Sequence, residues 1–241
     1  MADQPQPAGT EALFAAVVPA AGTGTRMGGC KKPYLPLAGR PVLDHTVQRL
    51  LAAEGCRQIV VVVHEQEFAR GDVADHLEAE FGVRDVVPGG PSRQESVRCG
   101  LGRVRAELDL VLIHDAVRPL VSPDVVRRVA VAAKEHGAAI AAVPAVETVK
   151  EVADDERIVG TPPRRTLWYA RTPQGFRRDL IVRAHHEVGE AGFNGTDDAE
   201  LVERLGEPVY VVEDCYDNVK ITTEEDLVVA EAILRRQEGS K

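Results

Sequence analysis

From Leu13 onward the chain alternates two kinds of segment: short apolar runs bounded by turn residues, and longer stretches whose apolar positions recur at helical spacing. The runs LFAAVV (13–18), QIVVVV (58–63), RDVV (84–87), LVLIHD (110–115), AAIAAV (138–143) and VYVVE (209–213) predict strands. Because they are continuously apolar instead of alternating, they predict a mainly parallel sheet covered on both faces. The stretches 41–53, 65–80, 92–107 and 122–136 predict helices, the last with Ser122 as N-cap and Pro123 in its first turn. With right-handed crossovers this βαβ series becomes a single, doubly wound α/β sheet.

The rhythm breaks between Val146 and Trp168. Here TVKEV and RIVG flank the acidic turn ADDE, and a Pro-Pro-Arg-Arg stretch without helical pattern follows. A projecting β-hairpin arm is predicted over 146–168. Residues 1–11 are expected to form a flexible tail, and 12–241 one domain that carries the arm.

The 241 residues include 44% hydrophobic and only 4% aromatic ones, so the core must be aliphatic. A net charge of -9 argues against a nucleic-acid scaffold, which needs a broad basic excess, but leaves room for a small phosphate ligand held by local cations. Cys30, Cys56, Cys99 and Cys215 are too far apart for a zinc knuckle or a redox dithiol, and free thiols are expected. The polar start MADQPQPAGTEA resembles no signal peptide, and no apolar run approaches the roughly 18 to 20 residues of a membrane span, so the protein is expected in the cytoplasm.

The first predicted strand runs into PAAGTGTRM (19–27), whose small residues and spaced glycines would let backbone amides approach an anion. The loop by itself is either a phosphate cradle or a tight turn. It is not a dinucleotide fingerprint, because Met27 stands where the third glycine belongs and Val63-His64 where the acidic residue belongs. A Walker loop starting at Gly24 fails too, since Cys30 replaces its lysine. What remains is a loop with its own cation, Arg26, and a basic pair, Lys31-Lys32, downstream. That pair is either a solvated turn or a second charge for a triphosphate at the carboxyl edge of the sheet.

The fourth strand ends in HDAVRP (114–119), which brings Asp115 to that same edge. Magnesium takes one or two carboxylates plus phosphate oxygens and waters, so Asp115 is a candidate ligand; the alternative is a turn cap paired with Arg118. His114 is expected to pack rather than react. Gly89-Gly90, followed by SRQESV (92–97), opens a further turn into a helix. TPQGF (172–176), GTDDA (195–199) and DNVKIT (217–222) read as polar loops, with Asp197-Asp198 in a helix first turn.

Taken in order, PAAGTGTRM, GGPSRQESV, HDAVRP, TPQGF, GTDDA and DNVKIT resemble the 2-C-methyl-D-erythritol 4-phosphate cytidylyltransferases, from about Ala15 to the helix after Thr223. The resemblance implies a Rossmann-like nucleotidyltransferase fold. It also implies transfer of a cytidylyl group from CTP to the phosphate of methylerythritol phosphate, with release of pyrophosphate, in non-mevalonate isoprenoid synthesis. By that resemblance Ala20, Ala21, Gly22, Thr23 and Gly24 wrap the triphosphate, and Arg26 and Lys32 stabilise the transition state. Asp115 contacts magnesium, Ala116 to Arg118 wall the nucleotide, and Gly90 and Ser96 recognise cytosine. Arg164, Lys220 and Thr148 hold the acceptor, and Thr172 and Thr196 join the substrate-binding set. The arm reaches a neighbouring subunit, which implies a homodimer with exchanged arms.

Two positions depart from the family pattern. Pro33 follows Lys31-Lys32, so the assignment to Lys32 rests on alignment to Tyr34, and Pro91 has no amide to donate. A ribitol-5-phosphate cytidylyltransferase and a non-catalytic nucleotide sensor are the alternative functions.

Overall fold

The six apolar runs become strands of one sheet, the inner ones buried on both faces and the edge strands over 85–88 and 210–213 only partly covered. A computed structural model describes residues 11–22, 31–190 and 192–239. Residues 1–10 of the tail and the loop positions Thr23, Gly24 and Arg26 lie outside these residues. β1 (Phe14–Pro19), the short hairpin β2 (Pro36–Leu37) and β3 (Arg40–Pro41), and α1 (Val42–Leu51) come first. β4 (Cys56–Val63), α2 (Glu65–Arg70), α3 (Asp72–Phe81), β5 (Asp85–Pro88) and α4 (Arg93–Leu101) follow. Next are β6 (Leu110–Ile113), α5 (Pro123–His136), β7 (Ala138–Pro144), and β8 (Glu151–Val152) with β9 (Ile158–Gly160). The chain continues through β10 (Trp168–Arg177), α6 (Arg178–Glu190), α7 (Asp198–Arg204), β11 (Tyr210–Glu213) and α8 (Glu224–Gly239).

The seven-stranded sheet has the order β11-β7-β10-β6-β1-β4-β5, parallel except for β10, which runs antiparallel to both neighbours. Successive residues of β1 face opposite layers. Phe14, Ala16 and Val18 pack with Leu43 and Val47 of α1 and Val126 and Val129 of α5. Ala15 and Val17 pack with Val97 of α4, Ile181 of α6 and Leu201 of α7. This is the doubly wound, mainly parallel sheet expected from the run pattern. β8 and β9 pair antiparallel across the ADDE turn, as the arm prediction required, and that segment exposes Val146, Val152, Ile158 and Val159.

The structure corrects three expectations. TPQGF is not a loop: it is the buried middle of β10, inserted between β6 and β7, where Thr172, Gln174 and Phe176 are all hidden. Its polar composition conceals it because Gln174 satisfies itself at the α7 N-terminus, accepting from the amides of Asp198 and Ala199 at 3.1 Å each. Pro173, which lacks an N–H, falls in the register shift between Ala170 and Gln174, where the ladder does not need it. The predicted helix 65–80 is two helices, broken at Gly71 with φ +80°, a conformation that disfavours any other residue. The predicted helix 92–107 stops at Leu101, and its start is set by the Ser92/Glu95 capping box.

Candidate active site

β1 is flanked by β4 on one side and β6 on the other, so the chain's crossovers leave in opposite directions from this point and open a crevice at the carboxyl ends of the strands. A cleft of about 390 Å³ lies there. Its walls are the end of β1 (Pro19 to Gly22), the turn Gly90 to Ser92 with the first residues of α4, and Asp115 to Val117 after β6. Lys32, His64, Arg93 and Lys220 complete the rim. Glycine at position 89 is a packing necessity, since a Cβ there would stand 2.6 Å from the Ala21 methyl and 2.7 Å from Ser96 Oγ. That close approach clamps the β1 loop to the turn before α4. Ser96 Oγ is bonded to Ser92 O at 2.9 Å and to Gly90 O at 3.3 Å, which tightens the same turn.

Asp115 is the electrostatic centre of the cleft. Burial alone would favour its neutral acid, but Lys220, then Arg93 and Arg118, hold its carboxyl far below the usual carboxylate range. Lys220 Nζ lies 2.8 Å from Oδ2, Arg118 Nε 3.5 Å from Oδ2, and Arg93 Nε 3.6 Å from Oδ1. Oδ1 is therefore the more open oxygen. Lys220 is brought to this spot from a distant part of the sequence by Ile221, whose amide donates to Val117 O at 2.9 Å and whose side chain is buried with Leu37, Leu120 and Leu234.

Below the floor runs a chain of neutral hydrogen bonds. His114 Nε2 lies 3.1 Å from Arg118 O, which can only accept, so the ring carries its proton on Nε2 and Nδ1 accepts from Thr172 Oγ1 at 3.1 Å. Thr172 Oγ1 in turn accepts from the Asp115 amide at 3.0 Å. Burial pushes His114 down to about 4, so the ring is neutral at ordinary pH and acts as a spacer. On the other side, Arg93 Nη2 also meets Asp198 Oδ2 at 2.8 Å, and Asp198 Oδ1 is 3.1 Å from His185 Nε2.

The sequence model of the 2-C-methyl-D-erythritol 4-phosphate cytidylyltransferases matches residues 14–236. Under that name, a Pelotomaculum thermopropionicum protein is 44% identical over 231 residues, covering 93% of this chain and 95% of its own. The corresponding protein of Geotalea uraniireducens is 48% identical over 227 residues, covering 91% of this chain and 96% of its own. The chain belongs to this family. Its fold agrees: the crystal structure of 4-diphosphocytidyl-2C-methyl-D-erythritol synthase from Anaerococcus prevotii superposes with a TM-score of 0.83 at 32% identity, covering 92% of this chain and 96% of that one. The expected nucleotidyltransferase activity, cytidylyl transfer in isoprenoid precursor synthesis, is that of the family to which the chain belongs.

Among the residues proposed from sequence, Ala20, Ala21, Gly22, Lys32, Gly90, Ser96, Asp115, Ala116 and Lys220 line the cleft together. Of the adjacent lysines, Lys32 faces the cleft while Lys31 turns outward to Glu67. Arg118 and Thr172 do not line it; both are buried beneath Asp115 and position it. Thr196 is exposed before α7 and donates to Glu200 Oε2 through its amide and hydroxyl at 2.8 and 3.0 Å, while Asp197 caps the helix. Thr148 and Arg164 are exposed on the arm, outside the cleft of their own chain, with Arg164 Nη1 bonded to Val146 O at 2.7 Å. Nothing local in the sequence marks Arg93, His64 or Asp198 as site residues. Arg93 and Asp198 each start a helix, and only the fold reveals that they meet.

Pro33 does not spoil the basic turn: it occupies the first positions of a short 3-10 turn at Lys32–Tyr34, where a missing N–H costs nothing. Among the described residues no cluster of three or more His, Cys, Asp or Glu could hold a metal by itself, and no helix is long and apolar enough to cross a membrane.

Proposed function

We propose that this cleft binds CTP with a divalent cation and transfers its cytidylyl group to 2-C-methyl-D-erythritol 4-phosphate. The supporting observation is a local excess of positive charge in an acidic protein: Lys220, Arg93 and Arg118 surround one ionised carboxylate, Asp115, and Lys32 lines the same cleft. One carboxylate suits a magnesium ion that takes its other ligands from phosphate oxygens and water, and Asp115 would be the residue that holds it. Bound there, magnesium would neutralise charge on the triphosphate.

The acceptor's phosphate oxygen attacks the α-phosphorus in line, a new P–O bond forms, the α–β bridge breaks, and pyrophosphate leaves. A phosphate monoester is already anionic, so the step needs no strong base, and positioning with electrostatic stabilisation supplies the catalysis. Lys32 and Lys220 both line the cleft, one for the triphosphate and one shared between Asp115 and the acceptor. Arg26 adds its charge from the glycine loop. Gly90 and Ser96 read the base at the turn that Gly89 clamps. Thr148 and Arg164 reach no acceptor within their own chain, and the exposed apolar residues of the arm suit a partner subunit, so the acceptor site is completed by the arm of a second copy in a homodimer. The cytoplasm is the compartment that fits free thiols at Cys56, Cys99 and Cys215.

The test is pyrophosphate release with CTP, magnesium and 2-C-methyl-D-erythritol 4-phosphate, beside ribitol 5-phosphate as acceptor and ATP as nucleotide. Turnover with the first set alone is expected. Turnover only with ribitol 5-phosphate would overturn the acceptor, and tight CTP binding without turnover would make the protein a nucleotide sensor.

A further inference from the structure

Lys31 and Lys32 are chain neighbours with opposite fates. Lys32 lines the cleft, whereas the Lys31 ammonium meets Glu67 Oε1 on α2, beside a second cavity of about 320 Å³ lined also by Tyr34, Arg70 and Asp72. Glu67 is an unusual residue for this place: its side chain is only 7% exposed, although it carries a charge. A carboxylate so hidden costs several kcal/mol unless it is paired. Arg70 Nη2, at 3.5 Å, is the other cation near Oε1, and it is itself 62% exposed and well solvated. Lys31 is thus the principal partner.

Two side chains that line the cavity each bury a polar atom without a hydrogen-bond partner. Glu67 Oε2 has no hydrogen-bond partner, with His64 Nδ1 3.9 Å away. Tyr34 Oη is likewise buried and unpartnered, and burial pushes that phenol up to about 12, so it remains a donor at any working pH. Tyr34 follows Lys31 in the same turn, its amide donating to Lys31 O at 3.0 Å. The Lys31 end of this turn is therefore tied to Glu67.

We propose that Glu67 is a positioning residue: by capturing Lys31 on the outer side of the turn, it leaves Lys32 alone to meet the triphosphate. The proposal rests on the reading of Lys32 as a phosphate-binding cation. Two flexible ammonium groups side by side at the rim would offer a polyphosphate several registers, of which one places the α-phosphorus correctly. Releasing Lys31 would then preserve or strengthen binding while spoiling alignment. That signature separates positioning from a merely structural role, which would damage both.

The experiment uses the full chain. Glu67→Gln keeps the shape and removes the charge, and it is expected to lower kcat about tenfold while leaving the KM for CTP unchanged or lower. The exchange Lys31→Glu with Glu67→Lys restores the pair and is expected to return kcat to within about threefold of the wild type. In parallel, acetylation of lysines by a succinimidyl ester, read by fragment mass spectrometry, compares the two amines directly. In the wild type Lys31 should label several-fold more slowly than Lys32, and in Glu67→Gln the difference should vanish. Unchanged kcat in Glu67→Gln, a KM for CTP that rises as kcat falls, or a labelling difference that survives the substitution would each overturn the proposal. Because labelling needs no turnover, it decides the anchor even if the wild-type enzyme proves inactive on these substrates, which would instead overturn the proposed reaction.

Discussion

Single side chains carry the charge balance of the cleft, and each has a distinct expected phenotype. Lys32→Ala removes the cation that faces the triphosphate. It is expected to lower kcat by about 10² to 10³ with a much smaller change in CTP affinity, measured by steady-state kinetics beside calorimetric binding. Asp115 and His114 are neighbours whose ionisation is displaced for opposite reasons. For Asp115 the folded pKa lies below the unfolded one, so its contribution is present above the ordinary carboxylate range and is lost only in strong acid. The rate profile between about pH 5 and 8 should show no acid limb from this group.

For His114 the folded ring resists protonation down to about 4, while the unfolded ring takes a proton near 6.5. The unfolded state therefore binds more protons between those values, and stability falls as pH drops through that window. The loss from this group is about 2 kcal/mol between pH 7.5 and 5, readable as the difference between wild type and His114→Gln in urea titrations at both pH values.

Among the elements, β10 matters most to the site and is the least advertised. Its Thr172 supplies the hydroxyl that joins the Asp115 amide to His114, and its Gln174 holds the first turn of α7, from which Asp198 meets Arg93. Thr172→Val keeps the volume and removes the hydroxyl, leaving a buried amide unsatisfied. A loss of about 1 to 3 kcal/mol in unfolding free energy is expected, together with reduced kcat. The turn before α4 is the other element that shapes the cleft. Gly89→Ala would force a methyl to within 2.6 Å of the Ala21 side chain, and the loop at the end of β1 must retreat. Overpacking of this kind costs about 1 to 3 kcal/mol, and kcat/KM for CTP should fall more than thermal stability does.

At the scale of the whole molecule, the arm decides whether one chain suffices. Arg164 and Thr148 are exposed on the arm and do not line the cleft of their own chain, and the arm presents Val152, Ile158, Val159 and Trp168 to solvent. Sedimentation should show a dimer. Arg164→Ala should raise the KM for the acceptor with little change for CTP. Mixing refolded Lys32→Ala and Arg164→Ala subunits should restore activity to about a quarter to a half of wild type, because one of the two composite sites in a mixed dimer then has both residues intact. Failure of the mixture to exceed either parent would show that each chain completes its own site.

Run pattern by itself determined the layer architecture for six of the seven sheet strands, because a run without polar side chains can be buried on both faces without partners and a helix covering it must be apolar on one side. It also brought Ala20 to Gly22, Gly90 and Asp115 to one sheet edge, since parallel strands all end there. Lys220 entered only through family resemblance, and nothing local in DNVKIT marks it as a neighbour of Asp115. Tertiary structure decided the rest. It turned TPQGF into a central strand, since its polar groups are satisfied by α7 and by Asp115, which no local pattern can express. It sent Lys31 to Glu67 and Lys32 to the cleft, although the two letters are identical. It buried Arg118 and Thr172 under the site and carried Arg164 away from it. The physical reason is common to all of these: periodicity reports how a segment meets water, whereas the direction and charge of a site residue depend on partners distant in the chain.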